Sequence, residues 1–433
     1  MADDKDMDYN LEMEEEFLET PKWPKTAKFS LSFFIGLSII LAVGVVTLAI
    51  FYDKKSNEPG DNEGKSNIPV CLNISKIPNL PYDEDGKIIN SFKKQGENYI
   101  ENLEEINNGS DYNKNERNYY DLYIPETAEN RKNETNGIFL WIHGGGWIEG
   151  SKESMEGFCQ LTAAQGYISA TLSYTLLIQN FTDYNIFKII DEITSCIKAI
   201  KKYLKQRGFD ENKLKLAIGG YSAGAHLTLL YSYLIKKLDI IPVSFLIDMA
   251  GPIALEKKYF LKIASVEDSL EDIKDIESIE KVNKEGKLIP IFNEWYLILL
   301  SNRFYGHKYT EQELKEMIDE KGNIIKNNEK YQKMYNVIKY AFITEIEDLH
   351  NNLETLCFYG GLDEAVGVTV FANLKKKADK DGRKLELIYS RYATHSNLIS
   401  PAYYKLPSNF NVLEKFNELG SGILKYAKKH FGY

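Results

Sequence analysis

Leu214-Lys-Leu-Ala-Ile-Gly-Gly-Tyr-Ser-Ala-Gly-Ala-His-Leu227 passes from an apolar run of strand length, through a glycine-rich turn, into helix formers that continue to Lys237. Its centre, Gly220-Tyr221-Ser222-Ala223-Gly224, is a G-x-S-x-G. In a strand–turn–helix context that pattern lifts a serine hydroxyl clear of the backbone on a strained elbow. The flanking positions must be small for strand and helix to approach, and Gly220, Ala223 and Gly224 are small. Ala223 opens the expected helix, so its N–H and the helix dipole face the same point as the hydroxyl.

A second glycine run lies upstream. Ile138-Phe-Leu-Trp-Ile142 reads as a buried strand and runs directly into His143-Gly144-Gly145-Gly146-Trp147. An oxyanion is held by two or three N–H donors converging on one oxygen, and glycine admits that approach without a Cβ in the way. Gly145 and Gly146 are assigned as donors beside Ala223, with Gly144 left as an alternative. His143 reads as a structural loop histidine.

A serine hydroxyl is a weak nucleophile unless an imidazole takes its proton and a carboxylate orients that imidazole. Only six histidines are present. His395 follows the strand-like Leu385-Glu-Leu-Ile-Tyr389 and is the expected base. His226 lies one turn into the helix and points away, while His307, His350 and His430 fall in polar, helix-like or terminal stretches. For the acid, Leu356-Cys-Phe-Tyr-Gly-Gly-Leu-Asp363 is a strand ending in glycines and a carboxylate, with Glu364 as the neighbouring alternative. Asp381 belongs to an Asp-Gly turn entering the next strand, at the wrong end of a sheet. The order Ser222, Asp363, His395 is the chain order of α/β-hydrolases.

The motifs together resemble the α/β-hydrolase esterases grouped around hormone-sensitive lipase, the bacterial feruloyl/acetyl esterases (BD-FAE-like) and the kynurenine formamidase-like enzymes. Tyr120-Asp-Leu-Tyr-Ile-Pro125, Leu172-Ser-Tyr174 and Gly360-Gly-Leu-Asp363 add to the likeness, which covers residues 96–250 and 350–433. The resemblance implies hydrolysis of small-molecule esters. Hormone-sensitive-lipase relatives usually carry an acid before the serine; Tyr221 and Ala225-His226 move the likeness toward the feruloyl/acetyl-esterase side. An amidase or formamidase could run on the same groups, and a non-catalytic adhesion protein of the same fold would typically lack one of them.

With 433 residues and a net charge of −10, the chain disfavours nucleic acid as a partner. The histidines are scattered, and the four cysteines form no C-x-x-C, so neither a metal nor an organic cofactor is expected. Residues 29–52 carry no charge and are long enough to cross about 30 Å of hydrocarbon as a helix, with lysines flanking both ends. They read as a membrane anchor between an acidic disordered tail (1–28) and a stalk (53–95). Lysine asymmetry gives a slight lean to a cytosolic N-terminus, and sequons at Asn73, Asn108, Asn133 and Asn180 suit a lumenal or extracellular domain. Cys71, Cys159, Cys196 and Cys357 are even in number, but three lie in apolar patterns expected to bury thiols.

The expected fold class is α/β: an α/β-hydrolase fold over 96–433, with a mostly parallel sheet, helices on both faces and a helical cap inserted at about 253–348. Tyr99–Ile106 and Tyr119–Ile124 are expected to pair as its first strands through an Asn-Gly-Ser turn at 108–110. Ile186, Ile189, Ile193, Ile197, Ile200 and Leu204 recur at helical spacing, and a final helix spans Val412–Phe431. In the cap, Thr310-x-x-Glu313 predicts a helix over Glu311–Asp319. Phe292, Trp295, Tyr296 and Leu299 share one helix face, as cap core or as a pocket wall.

Overall fold

The computed structural model describes residues 73–82, 117–177, 184–234, 240–263, 281, 284–343, 353–367, 369–399 and 409–433. The expected acidic tail, the apolar segment 29–52, the strand 99–106 and the turn 108–110 lie outside these residues, as do Cys71, Asn108, Asn180 and His350. Among the described residues no helix is long and apolar enough to cross a membrane.

Eight strands form one sheet: β1 (Ile74–Pro81), β2 (Tyr119–Pro125), β3 (Asn136–Ile142), β4 (Ile168–Leu172), β5 (Leu214–Tyr221), β6 (Val243–Met249), and, after a short pair β7 (Leu261–Ile263) and β8 (Leu288–Pro290), β9 (Glu354–Gly360) and β10 (Leu385–Ser390). Their order is β1-β2-β4-β3-β5-β6-β9-β10. Pairing is antiparallel for β1–β2 and β2–β4 and parallel from β4 onward. The central strands are buried end to end, as parallel strands covered by helices must be. This is an α/β-hydrolase-like fold.

Besides a single turn at Glu126–Glu129, the α-helices among the described residues are α1 (Glu156–Ala164), α2 (Ile186–Gln206), α3 (Ala223–Leu234), α4 (Glu294–Tyr305), α5 (Glu311–Lys315), α6 (Glu329–Ile338), α7 (Thr369–Lys380) and α8 (Asn409–Phe431). Phe139 and Trp141, two residues apart and therefore on one face of β3, meet Phe431 of α8 and Phe158 of α1. The isoleucine stripe of α2 is buried, and Asn185 caps that helix by accepting from the Phe187 and Lys188 amides. In α8, Leu419, Ile423 and Ala427 face the core as expected, joined by Tyr426 and Phe431; the side chains of Leu413 and Phe416 are outside the described set. Cys159, Cys196 and Cys357 are buried free thiols.

Two expectations need correction. The strand pairing with β2 is Ile74–Pro81, so the sheet reaches back beyond residue 96 into the segment read as a stalk. Ile74, Ile77 and Leu80 are spaced by three, not two; a register shift between Ile77 and Leu80, with Asn79 at φ 56°, absorbs the surplus residue. Pro78 and Pro81 are tolerated because this strand is the sheet edge. Second, α5 ends at Lys315 rather than Asp319. Its capping box forms as read, but the Asp319 carboxylate accepts from the Lys321 and Asn323 amides and closes a turn in place of further helix. In the cap, the fully buried face of α4 includes Leu297, Ile298, Leu300, Phe304 and Tyr305. Phe292, just ahead of that helix, and Trp295, Tyr296 and Leu299 are half-buried and pack against the core, with Phe292 stacked on Tyr296 at 4.5 Å.

Candidate active site

The glycine run, Ser222, Asp363 and His395 follow the C-terminal ends of β3, β5, β9 and β10. Ends of parallel strands open along one edge of a sheet, so four segments remote in sequence converge there.

The serine turn is built by close backbone approach. Ser222 has φ 54°, the left-handed region, and its N–H donates to the Met249 carbonyl at 2.8 Å. A Cβ on Gly224 would stand 2.1 Å from the Ile142 carbonyl oxygen, and one on Gly220 2.3 Å from the Gly224 backbone. Only bare glycines let α3 seat on the end of β3. The same device brings the acid and base segments together. A Cβ on Gly360 would meet the Ala393 carbonyl at 2.3 Å, while the Leu362 N–H donates to that carbonyl at 3.0 Å. The loop after β10 therefore lies directly on the exit of β9.

Within this frame His395 Nε2 is 2.9 Å from Ser222 Oγ, and Nδ1 is 2.8 Å from Asp363 Oδ2. A carboxylate only accepts, so Nδ1 carries the proton and Nε2 presents its lone pair to the serine hydroxyl, which donates. The second oxygen of Asp363 accepts from the Ala365 and Val366 amides at 2.9 and 2.7 Å. Glu364, the alternative acid, instead accepts the backbone N–H of His395 at 3.2 Å. Asp381 pairs with Lys377 and Arg383 ahead of β10, away from these groups.

Gly144 packs on the serine turn: a Cβ there would stand 3.1 Å from Ser222 Cβ. The loop then turns through Gly145 (φ 107°) and Gly146 (φ 57°). The amides of Gly144, Gly145, Gly146 and Ala223 all lack a backbone carbonyl to donate to in the loops and turns among the described residues, so Gly144 stays an alternative donor. Among those residues no cluster of His, Cys, Asp or Glu could hold a metal ion.

Three of the remaining histidines are engaged away from the Ser222 hydroxyl. His143 is buried, donates through Nδ1 to the Gly144 carbonyl at 2.7 Å, and stacks on Tyr174. His226 donates through Nε2 to the Ala341 carbonyl, leaving Nδ1 to accept from the Trp147 indole N–H at 3.2 Å. Trp147 also packs edge-on against Phe304 of α4, so this neutral imidazole joins the glycine loop, α3 and the cap. His430 contacts Glu354 at the opposite, N-terminal end of β9.

Burial holds His143 and His226 down to about 4 and pushes the Asp248 carboxyl up to about 7. The Tyr359 hydroxyl lies 2.8 Å from Asp248 Oδ2 and 2.9 Å from the Gly251 carbonyl, with one proton to give. A protonated Asp248 resolves that conflict by donating to the tyrosine oxygen. Near pH 5 to 5.5, between the folded and unfolded histidine values, the unfolded chain binds about two protons at the histidines that the folded chain refuses. The folded chain keeps one at Asp248 that the unfolded chain has lost. The surplus of one unfolded-state proton makes these groups raise stability with pH, by about 1.4 kcal/mol per unit. Asn at position 248 can donate to Tyr359 and still accept from Gly251. Asp248→Asn should therefore steepen the pH dependence by about one further proton, and denaturant unfolding at pH 4.5, 5.5 and 6.5 reads it. Parallel curves for the two proteins would remove Asp248 from the balance.

The BD-FAE family model matches residues 120–284, a span that holds the glycine run and the serine turn; this is the group whose motifs the sequence resembles. Gut esterase 1 of Caenorhabditis elegans is 31% identical over 102 residues, which are 22% of this chain and 18% of that relative. The matched stretch thus spans less than a fifth of the relative's length. Among solved structures, esterase B from Lactobacillus rhamnosis aligns with 91% of this chain and 98% of its own at 16% identity and a TM-score of 0.43. A bacterial heroin esterase aligns with 70% of this chain and 80% of its own at 18% identity and a TM-score of 0.42. A truncated carbohydrate esterase from gut microbiota aligns with 83% and 100% at 13% identity and a TM-score of 0.46.

Proposed function

We propose that the chain is a serine carboxylic-ester hydrolase, anchored in a membrane by residues 29–52 with its catalytic domain on the lumenal or extracellular side. The observation that carries the catalytic reading is the unbroken chain from Ser222 Oγ through His395 to the buried Asp363. Ser222 Oγ attacks the ester carbonyl as His395 Nε2 takes its proton. The Gly145, Gly146 and Ala223 amides hold the oxyanion, and each such donor is worth roughly 10²–10³ in turnover. His395 then returns the proton to the leaving alcohol as the carbonyl–oxygen bond breaks. Water, deprotonated by the same nitrogen, attacks the acyl-enzyme, releasing the acid and restoring the serine.

The anchor rests on the uncharged length of 29–52. The lumenal orientation rests on the sequons, of which Asn73 and Asn133 are exposed. One experiment addresses the anchor and the catalytic reading. A fluorophosphonate should label the full-length chain once, at Ser222, as its Oγ–P bond replaces P–F. After an alkaline carbonate wash the labelled chain should stay in the membrane pellet. The same preparation should cleave p-nitrophenyl acetate faster than N-formyl amides. Labelling at another serine would overturn the site assignment, release by carbonate would overturn the anchor, and preference for the amide would make the enzyme a formamidase.

A further inference from the structure

Tyr221 occupies the position before the serine, where its counterparts in hormone-sensitive-lipase relatives usually carry an acid. Its hydroxyl donates to the backbone carbonyl of His395 at 2.8 Å. Its ring lies against the imidazole, centroids 4.9 Å apart and planes inclined by 34°. On the glycine-loop side, its Cδ1 is 2.9 Å from where a Cβ on Gly144 would stand. One buried side chain thus fills the space between the glycine loop and the base loop, and it is covalently next to Ser222.

We propose that Tyr221 is a positioning residue for the base. Its hydroxyl and ring fix the His395 loop relative to the serine, so that Nε2 stays within reach of Oγ. This rests on the reading of Ser222, His395 and Asp363 as the reacting groups. His395 leaves β10 on a short loop; its carbonyl accepts the Leu398 N–H within that loop, and its backbone has two side-chain anchors from outside it, in addition to its ring contacts. Its N–H is taken by the Glu364 carboxylate and its carbonyl by Tyr221. The two anchors come from different strands: Glu364 follows β9, and Tyr221 ends β5. Without the second, the loop is tied only to the segment after β9, through Glu364 and the Leu362 N–H, and the 2.9 Å approach of Nε2 to Oγ is the distance that a pivot about that segment changes. A misplacement of about 1 Å can cost as much as 10² in rate. Because Tyr221 adjoins the nucleophile, any shift of the turn carries the base with it.

Tyr221→Phe tests this, since it keeps the ring and removes only the donor. On an activated short-chain ester the full-length variant should show kcat lowered about tenfold with KM within about twofold. Fluorophosphonate labelling should slow by the same factor as kcat, because both begin with proton transfer from Oγ to Nε2. Tyr221→Leu, which removes the ring as well, should lose more. A Phe variant with parental kcat overturns the proposal. So does one whose loss lies in KM with kcat unchanged, because the loss would then be one of substrate binding. Ser222→Ala assayed in parallel separates the two ideas. Hydrolysis that vanishes in Ser222→Ala but is undiminished in Tyr221→Phe overturns only the tyrosine role. Hydrolysis that persists in Ser222→Ala overturns both.

Discussion

Ser222→Ala should lower turnover of an activated ester by about 10⁶-fold and abolish fluorophosphonate labelling, with little change in thermal midpoint. In the proposed mechanism the loss is this large because the reaction passes through a bond to Oγ, and no other hydroxyl is hydrogen-bonded to the His395 imidazole among the described contacts. A residual rate over water of about 10³–10⁴ remains, since the amides and the binding surface stay in place. The fold should survive. Ser222 is held by its backbone, whose N–H donates to Met249 and whose carbonyl accepts from the His226 N–H. Alanine carries both bonds and the same Cβ, so the left-handed strain at this position is unchanged. Circular dichroism and a melting curve check the fold, and steady-state rates check the chemistry. Loss of less than tenfold, with the fold intact, would mean that Ser222 is not the nucleophile.

The parts of the fold that can be read from sequence are those where one local requirement excludes most residues. The turn at Ser222 needs small neighbours because Gly224 lies against the Ile142 carbonyl, and the glycine pattern records that contact. The buried strands β3, β5 and β9 are short apolar runs bounded by glycine or polar residues, which leaves few other readings. The edge strand β1 was not legible, because its bulge breaks the period of two and its partner is fixed by the sheet rather than by a hairpin turn. The length of α5 was not legible because Asp319 competes for backbone amides only once the following turn has closed. The half-exposed stripe on α4 has the same helical spacing as a core face; which face is covered depends on where the cap packs.

The site follows the same division. Ser222, Asp363 and His395 were each approached through a strand end, and the structure brings them within hydrogen-bond reach. The choice of Asp363 over Glu364 was open in sequence, since adjacent residues after a strand differ only in which way their side chains leave the turn. Tyr221 could be seen only as the lack of an expected acid. Its reach to the carbonyl of His395 spans 174 residues of chain, and nothing local encodes such a contact. Likewise the bond from Trp147 to His226 joins segments 79 residues apart through a histidine that, in sequence, only points away from the serine.

Asp363→Asn is the second change with a large expected effect, about 10⁴-fold in kcat, and its cause lies in the orientation of one amide. Asp363 Oδ1 accepts from the Ala365 and Val366 N–H groups, so an asparagine must place its carbonyl oxygen there. Its NH₂ is then turned toward His395 Nδ1. A donor facing Nδ1 requires that nitrogen to be unprotonated, which moves the imidazole proton to Nε2, the atom 2.9 Å from Ser222 Oγ. The base then offers a donor where a lone pair is needed. Flipping the amide would restore the tautomer but would set NH₂ against two backbone N–H groups. Because this is an electronic fault with little change of shape, KM and the melting temperature should stay close to those of the parent chain. Fluorophosphonate labelling should slow in proportion to kcat, since it begins with the same proton transfer. Glu364 decides the alternative: its carboxylate already accepts the His395 backbone N–H, and a swing to Nδ1 would rescue the base at the cost of that anchor. A loss below about 10² in Asp363→Asn that deepens in Asp363→Asn with Glu364→Gln would show that the second carboxylate takes over, and that orientation of the imidazole is shared between the two.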